Sequence, residues 1–192
     1  MTKDHIRCFF ALTVSEKIQN DLAVIQNQLK TDGAQARWIK PHNIHLTLRF
    51  LGERSEKRVR ETAGHLSEWF HGTSGFPITI DRLECFPNNI RPRVIGAGIS
   101  NGTKEAAAVF EHLNAGLAKI GIPKDREDFV PHLTLGRCKT SEESRSTAEA
   151  IQKAPMFSIE ASAESVSFFQ STLHSDGSIY TPIARIPLNL YP

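Results

Sequence analysis

Two identical tetrapeptides, His45-Leu46-Thr47-Leu48 and His132-Leu133-Thr134-Leu135, stand 87 positions apart in a chain of 192 residues. Both follow a proline-containing approach and both sit in strand-like context. Side chains alternate faces along a strand, so His45 and Thr47 point together, while Leu46, Leu48 and Phe50 take the opposite face. In the second copy His132 and Thr134 oppose Phe129, Leu133 and Leu135 in the same way. Each strand therefore has one apolar face to pack under helices and one His/Thr face. The repeat points to two similar halves, and if these oppose each other their polar faces meet at one cleft.

The segments around the repeat alternate in character. Ile6 to Val14 reads as a strand, and Glu16 to Leu29 as a helix with Ser15 as N-cap and Ile18, Leu22, Ile25 and Leu29 on one face. Arg37 to Ile39 is a short strand before Pro41. Ile44 to Leu51 is a strand stopped by Gly52, and Ser55 to Phe70 a second helix. Strands at Phe76 to Leu83 and Arg93 to Ile99 flank a Pro/Asn loop, and Thr103 to Ile120 is an alanine-rich helix. A strand at Phe129 to Leu135 precedes a helix at Ser141 to Lys153, where Thr140 and Glu143 have capping-box spacing. The tail, Met156 to Phe169 and Ser178 to Pro187, offers two or three strands around Ser175-Asp176-Gly177. No long linker interrupts this order. The expectation is one α+β domain over residues 1–192, made of two similar lobes.

With 23 basic and 21 acidic residues the net charge is +2, so any binding of phosphate must be local rather than a property of the whole molecule. No apolar run approaches a membrane span, and the first one, Cys8 to Leu12, is too short for a signal-peptide core; a cytoplasmic monomer is expected. Cys8, Cys85 and Cys138 lack the spacing of a disulfide framework or a zinc site.

Two histidines and two threonines converging on a cleft suit in-line displacement at phosphorus. One imidazole takes a proton from the attacking oxygen and the other gives one to the leaving oxygen, a task fitted to a side chain with an unperturbed pKa of about 6.5. The hydroxyls of Thr47 and Thr134 can bind the non-bridging oxygens. Arg49 shares the parity of Thr47 and can add a charge-assisted bond; Arg137 has the wrong parity unless Gly136 bends the strand. No Asp or Glu lies within either motif, and His42, which could chelate with His45, reads as a loop residue, so neither a metal nor another cofactor is expected.

Beyond the tetrapeptides, the segments Arg7-Cys8-Phe9-Phe10-Ala11-Leu12, Arg37-Trp38, His45 through Gly52, Phe86-Pro87-Asn88, Arg91-Pro92-Arg93-Val94 and Phe129 through Arg137 occur in an order that resembles the 2H phosphoesterases. The resemblance is specifically to the RNA 2′,3′-cyclic phosphodiesterases, long called 2′-5′ RNA ligases. It implies a bilobal, pseudo-symmetric fold with two antiparallel sheets facing a central cleft and helices outside. It also implies metal-independent hydrolysis of RNA ending in a 2′,3′-cyclic phosphate, giving a 2′-phosphomonoester, with 2′-5′ ligation as the reversal. His45 would then protonate the departing O3′ and His132 would activate water, with Thr47, Thr134 and Arg137 on the phosphate. Family members often carry a tryptophan where this chain has Gly96; Phe9, Phe50 or Trp38 are candidates to supply a ring instead. A small cyclic nucleotide, an ADP-ribose cyclic phosphate, and binding of RNA ends without turnover are the competing readings.

Overall fold

The computed structural model describes residues 5–124, 128–175 and 177–188. Within them, nine strands and four α-helices follow in the order β1 (His5–Thr13), α1 (Glu16–Thr31), β2 (Arg37–Trp38), β3 (Leu46–Ser55), α2 (Glu56–Trp69), β4 (Phe76–Phe86), β5 (Val94–Asn101), α3 (Thr103–Lys119), β6 (His132–Arg137), α4 (Ser141–Lys153), β7 (Ile159–Ala163), β8 (Ser165–His174) and β9 (Gly177–Pro187). A 3₁₀ turn at Pro41–Asn43 leads into β3.

Local chemistry accounts for most boundaries. The Ser15 and Ser55 hydroxyls accept the Ile18 and Arg58 N–H groups at the starts of α1 and α2, and Thr140 and Glu143 close a reciprocal capping box on α4. Several boundaries move, among them the end of β4, from Leu83 to Phe86, and the end of β8, from Phe169 to His174. β3 continues past Gly52 to Ser55, because Gly52 takes φ 69° and stays paired with Cys8, a conformation that costs glycine little. β6 starts at His132 rather than Phe129, since Pro131 has no N–H to give a ladder. Asp176 of the expected tail turn lies outside the described residues.

The strands form one curled antiparallel sheet, in the order β7-β4-β5-β6-β3-β1-β8-β9. It consists of two four-stranded halves, β7-β4-β5-β6 and β3-β1-β8-β9. They join through a single residue pair, Leu46 with Leu133, the same leucine of each tetrapeptide. β2 pairs with β6 through Arg37–Arg137 and Trp38–Gly136. The two halves do not coincide with the two halves of the sequence. β4 pairs with β5, and β8 pairs with β1 and β9, so the earlier stretch lends β4 to the other's sheet and the later stretch lends β8 and β9.

One core runs under the whole sheet. Leu46 and Leu133 are buried at the seam, Phe10 stacks on Phe168 at 4.3 Å, and Phe110 stacks on Phe129 at 4.4 Å. Ile18, Leu22 and Leu29 of α1 are buried; the fourth buried position is Gln26, with Ile25 at the edge of the stripe. Among the described residues no helix is long and apolar enough to cross a membrane.

Candidate active site

The seam assembles the site. Carried one residue either way, the Leu46–Leu133 register sets Thr47 opposite His132 and His45 opposite Thr134. Directly opposed side chains point to the same face, so all four reach one side of the sheet. The histidines are diagonal neighbours, a separation of about 7–8 Å at the backbone in regular pairing.

Beyond each threonine both strands carry an extra residue. Ala11 pairs with Thr47 but Phe10 with Arg49, which leaves Leu48 out of the ladder. Gly96 pairs with Thr134 but Ile95 with Gly136, which leaves Leu135 out. These are β-bulges at equivalent positions of the repeat, and a bulge reverses the parity of everything after it. The residues delivered to the cleft three positions beyond the threonines are therefore Phe50 in one strand and Arg137 in the other.

This overturns the parity reading at Arg49 and at Phe50. Arg49 is buried and contributes only to the wall of the cleft; its guanidinium is turned to α3, where it donates to the Asn114 side chain and, at 2.5 Å, to the Pro123 carbonyl. Phe50 is 53% exposed and reaches the open cleft, not the core. Arg137 reaches the cleft because of the bulge at Leu135. Gly136 keeps the core-facing position, where a Cβ would come within 3.2 Å of Ile95 and Trp38.

Two buried amides hold the bulges, and sequence patterning points to neither. Gln26 of α1 donates to the carbonyls of Ile39 and Leu135, both at 2.8 Å. Asn114 of α3, 88 positions further on, holds Arg49 and donates to the Phe110 carbonyl. The arrangement is crossed, since the helix of each sequence half anchors the motif strand of the other. A polar residue at a buried helical position is the only trace of this in the sequence.

His45 is half-buried in an aromatic wall, stacked on Phe9 at 5.0 Å with Tyr180 edge-on at 5.4 Å and Phe169 beyond. Phe9 is therefore both core and imidazole support, while Phe169 and Tyr180 come from the tail strands, where the sequence carried no motif. Burial pushes His45 down to about 4, against a hydrogen bond to the backbone of Asn43; the positive charge of Arg137 and the neighbouring His132 lower it further. His132 donates Nδ1–H to the Val130 carbonyl at 2.8 Å, because a carbonyl can only accept, and this leaves Nε2 as the basic nitrogen. Each imidazole thus bonds the backbone two residues upstream. His132 is also lowered by burial; the Val130 bond and the Glu84 carboxylate oppose this, and Arg137 adds to it.

Two glycines shape the His132 side. A Cβ at Gly96 would stand 3.0 Å from the His132 ring, and one at Gly98 would stand 2.7 Å from the Glu84 side chain. The bare backbone is what lets the imidazole and the carboxylate lie against the sheet. Glu84 pairs through Oε1 with Arg82 at 3.0 Å, whereas its buried Oε2 has no hydrogen-bond partner among the described residues. The ring nearest His132 is Phe86, at 4.6 Å; Trp38 packs at Gly136 on the core side, away from the cleft.

The open cleft has a volume of about 560 Å³ beside His132, Thr47, Thr134, Phe50, Phe86 and Arg137. A narrow extension bordered by Thr47, Phe50, Thr134 and Arg137 continues to His45 and Tyr180. His42 lies in a separate depression with Glu16 and Gln19. The three cysteines are buried thiols, with Cys8 pushed up to about 11, Cys85 to about 12, and Cys138 also raised, all chiefly by burial. They are protonated and poor nucleophiles near neutral pH.

Comparison with known proteins bears on this arrangement. A family described as LigT like phosphoesterase matches residues 12–96 and 98–180. A curated relative from Thermotoga maritima is 33% identical over 176 residues, 91% of either chain, and is named RNA 2′,3′-cyclic phosphodiesterase. A second, from Methanothermobacter thermautotrophicus, carries the same name and is 32% identical over 92% of this chain and 95% of its own. The fold is shared with the crystal structure of a Thermus thermophilus protein, with a TM-score of 0.78 and 24% identity over 96% of this chain and 99% of that one. It is also shared with E. coli LigT complexed with 3′-AMP, with a TM-score of 0.72 and 24% identity over 96% and 98%.

Proposed function

The chain belongs to the LigT-like phosphoesterase family, and from that premise we propose that it hydrolyses RNA 2′,3′-cyclic phosphate ends to 2′-phosphomonoesters by histidine acid–base catalysis. The observation that carries the proposal is the seam, where two imidazoles and two hydroxyls stand on one face of two antiparallel strands. The histidines lie diagonally across the seam.

His132 is the base. Its Nδ1–H is committed to Val130, so Nε2 is free to take the proton of the attacking water. His45, protonated, gives its proton to O3′ as the P–O3′ bond breaks, and the phosphate stays on O2′. Thr47 and Thr134 donate to the non-bridging oxygens, and Arg137 balances their charge. With a 5′-hydroxyl as acceptor, microscopic reversibility gives a 2′-5′ linkage from the same groups. We read residues 1–192 as one domain of two related lobes, acting as a monomer in the cytoplasm without metal or other cofactor.

Incubating the protein with a 2′,3′-cyclic-phosphate oligonucleotide in EDTA and identifying the phosphate position tests this. A 2′-phosphate product, lost in His45→Ala and His132→Ala proteins that keep their circular dichroism, is expected. A 3′-phosphate product, or undiminished turnover by His132→Ala, would sink the assignment.

A further inference from the structure

A second cavity, of about 510 Å³, lies outside the cleft at the end where β5 and β6 leave it. Arg93 stands just before β5 and Lys139 just after β6, and the Cys138 N–H donates to the Arg93 carbonyl at 2.9 Å to hold the two segments together. Arg91, Arg145 and Ile90 also line the cavity. All four cations are exposed, and no described residue pairs with any of their charged groups.

No carboxylate of the described residues lines this cavity. Glu143, in the first turn of α4, is committed to the Lys139 and Thr140 N–H groups. Four formal positive charges thus face one cavity in a chain whose total is +2, so the remainder of the molecule is net negative. Unpaired clustered cations at one place are costly in self-repulsion and suit an anion that spans them. Ile90, 81% exposed beside them, fits a ligand that is apolar as well as anionic.

Position selects the ligand. Arg137 belongs to the cleft, and the cavity opens two residues further along the same segment. From Thr134 to Lys139 the backbone covers about 15 Å at strand rise, the reach of a few nucleotides. We propose that this cavity is a second phosphate site, which holds an internucleotide phosphate of the RNA strand upstream of the cyclic end bound in the cleft. The inference rests on the RNA reading of the cleft and adds how a longer strand is told from a mononucleotide.

The test compares a 2′,3′-cyclic mononucleotide with a hexanucleotide ending in the same cyclic phosphate. For Arg91→Glu/Arg145→Glu, kcat/KM on the hexanucleotide should fall roughly tenfold or more, through KM, with a shallower dependence on salt. The mononucleotide rate should hold, and a Lys57→Glu/Lys104→Glu control with the same change in net charge should match the wild type on both. Equal losses on both substrates, or no loss on the hexanucleotide, would overturn the site. If the wild type turns over neither substrate, the reading of the cleft fails. The site is then decided by fluorescence anisotropy with a labelled 3′-phosphorylated hexanucleotide: weaker binding by the variant supports it, and equal binding overturns it. A difference for inorganic phosphate alone would make it a free-anion site and would also overturn the proposal.

Discussion

With no substrate present, burial keeps both imidazoles neutral near pH 7, with His45 at about 4 and His132 below its ordinary value. Neutral suits a base but not a donor, so under the proposed mechanism His45 acquires its proton together with the anionic substrate. The sign follows: kcat/KM, which reports free protein, should fall as pH rises through the neutral range, with its optimum on the acid side. The limb for kcat should lie at higher pH, because bound phosphate favours the imidazolium. Histidine resonances followed by NMR should show His45 titrating well below 6.5 and moving up when 2′-AMP is added; a His45 pKa near 6.5 in the free protein would contradict this. Glu84 works in the opposite direction on the other imidazole. Glu84→Gln removes a charge that favours protonated His132, so the His132 pKa should drop, read in the same titration.

At the scale of elements, what matters is the pair of bulges. Gln26→Leu would strip the donor from the Ile39 carbonyl and one of the two donors from that of Leu135. Leaving such groups unpaired in the core costs about 1–3 kcal/mol, so a Tm lower by several degrees is expected by calorimetry, together with a lower kcat as Arg137 loses its aim. A variant with wild-type Tm and kcat would mean that the amide is not holding the bulge. The strands, the helices, the Ser15 and Thr140 caps and the His/Thr faces are legible in the sequence, because period-two alternation and Ser/Thr caps are local signals. The bulges are not. Leu48 and Leu135 look like regular strand residues, and they are displaced by the register of β1 and β5, which no local pattern reports. Hence strict alternation puts Arg49 in the cleft and Phe50 in the core, the reverse of their places. Glu84, Phe169 and Tyr180 were missed for a related reason: they reach the histidines only through pairings distant in sequence.

For the molecule as a whole, the seam and the strand exchange set how it holds together. A single leucine pair joins the half-sheets, yet Leu46→Ala or Leu133→Ala should cost about 2–5 kcal/mol, since each leucine is buried where the two halves meet. The measurement is a urea denaturation curve, and a loss below about 1 kcal/mol, well under that range, would show that the seam is dispensable. The +2 total charge described the molecule poorly, because an uneven distribution lies beneath it. Because β4 completes the sheet of the later strands and β8 that of the earlier ones, a polypeptide divided between Asn89 and Ile90 would leave two pieces that are each incomplete and each other's missing part. Such pieces are natural complements: inert apart, they would restore phosphodiesterase activity only on mixing, which makes the interleaved sheet a ready split reporter.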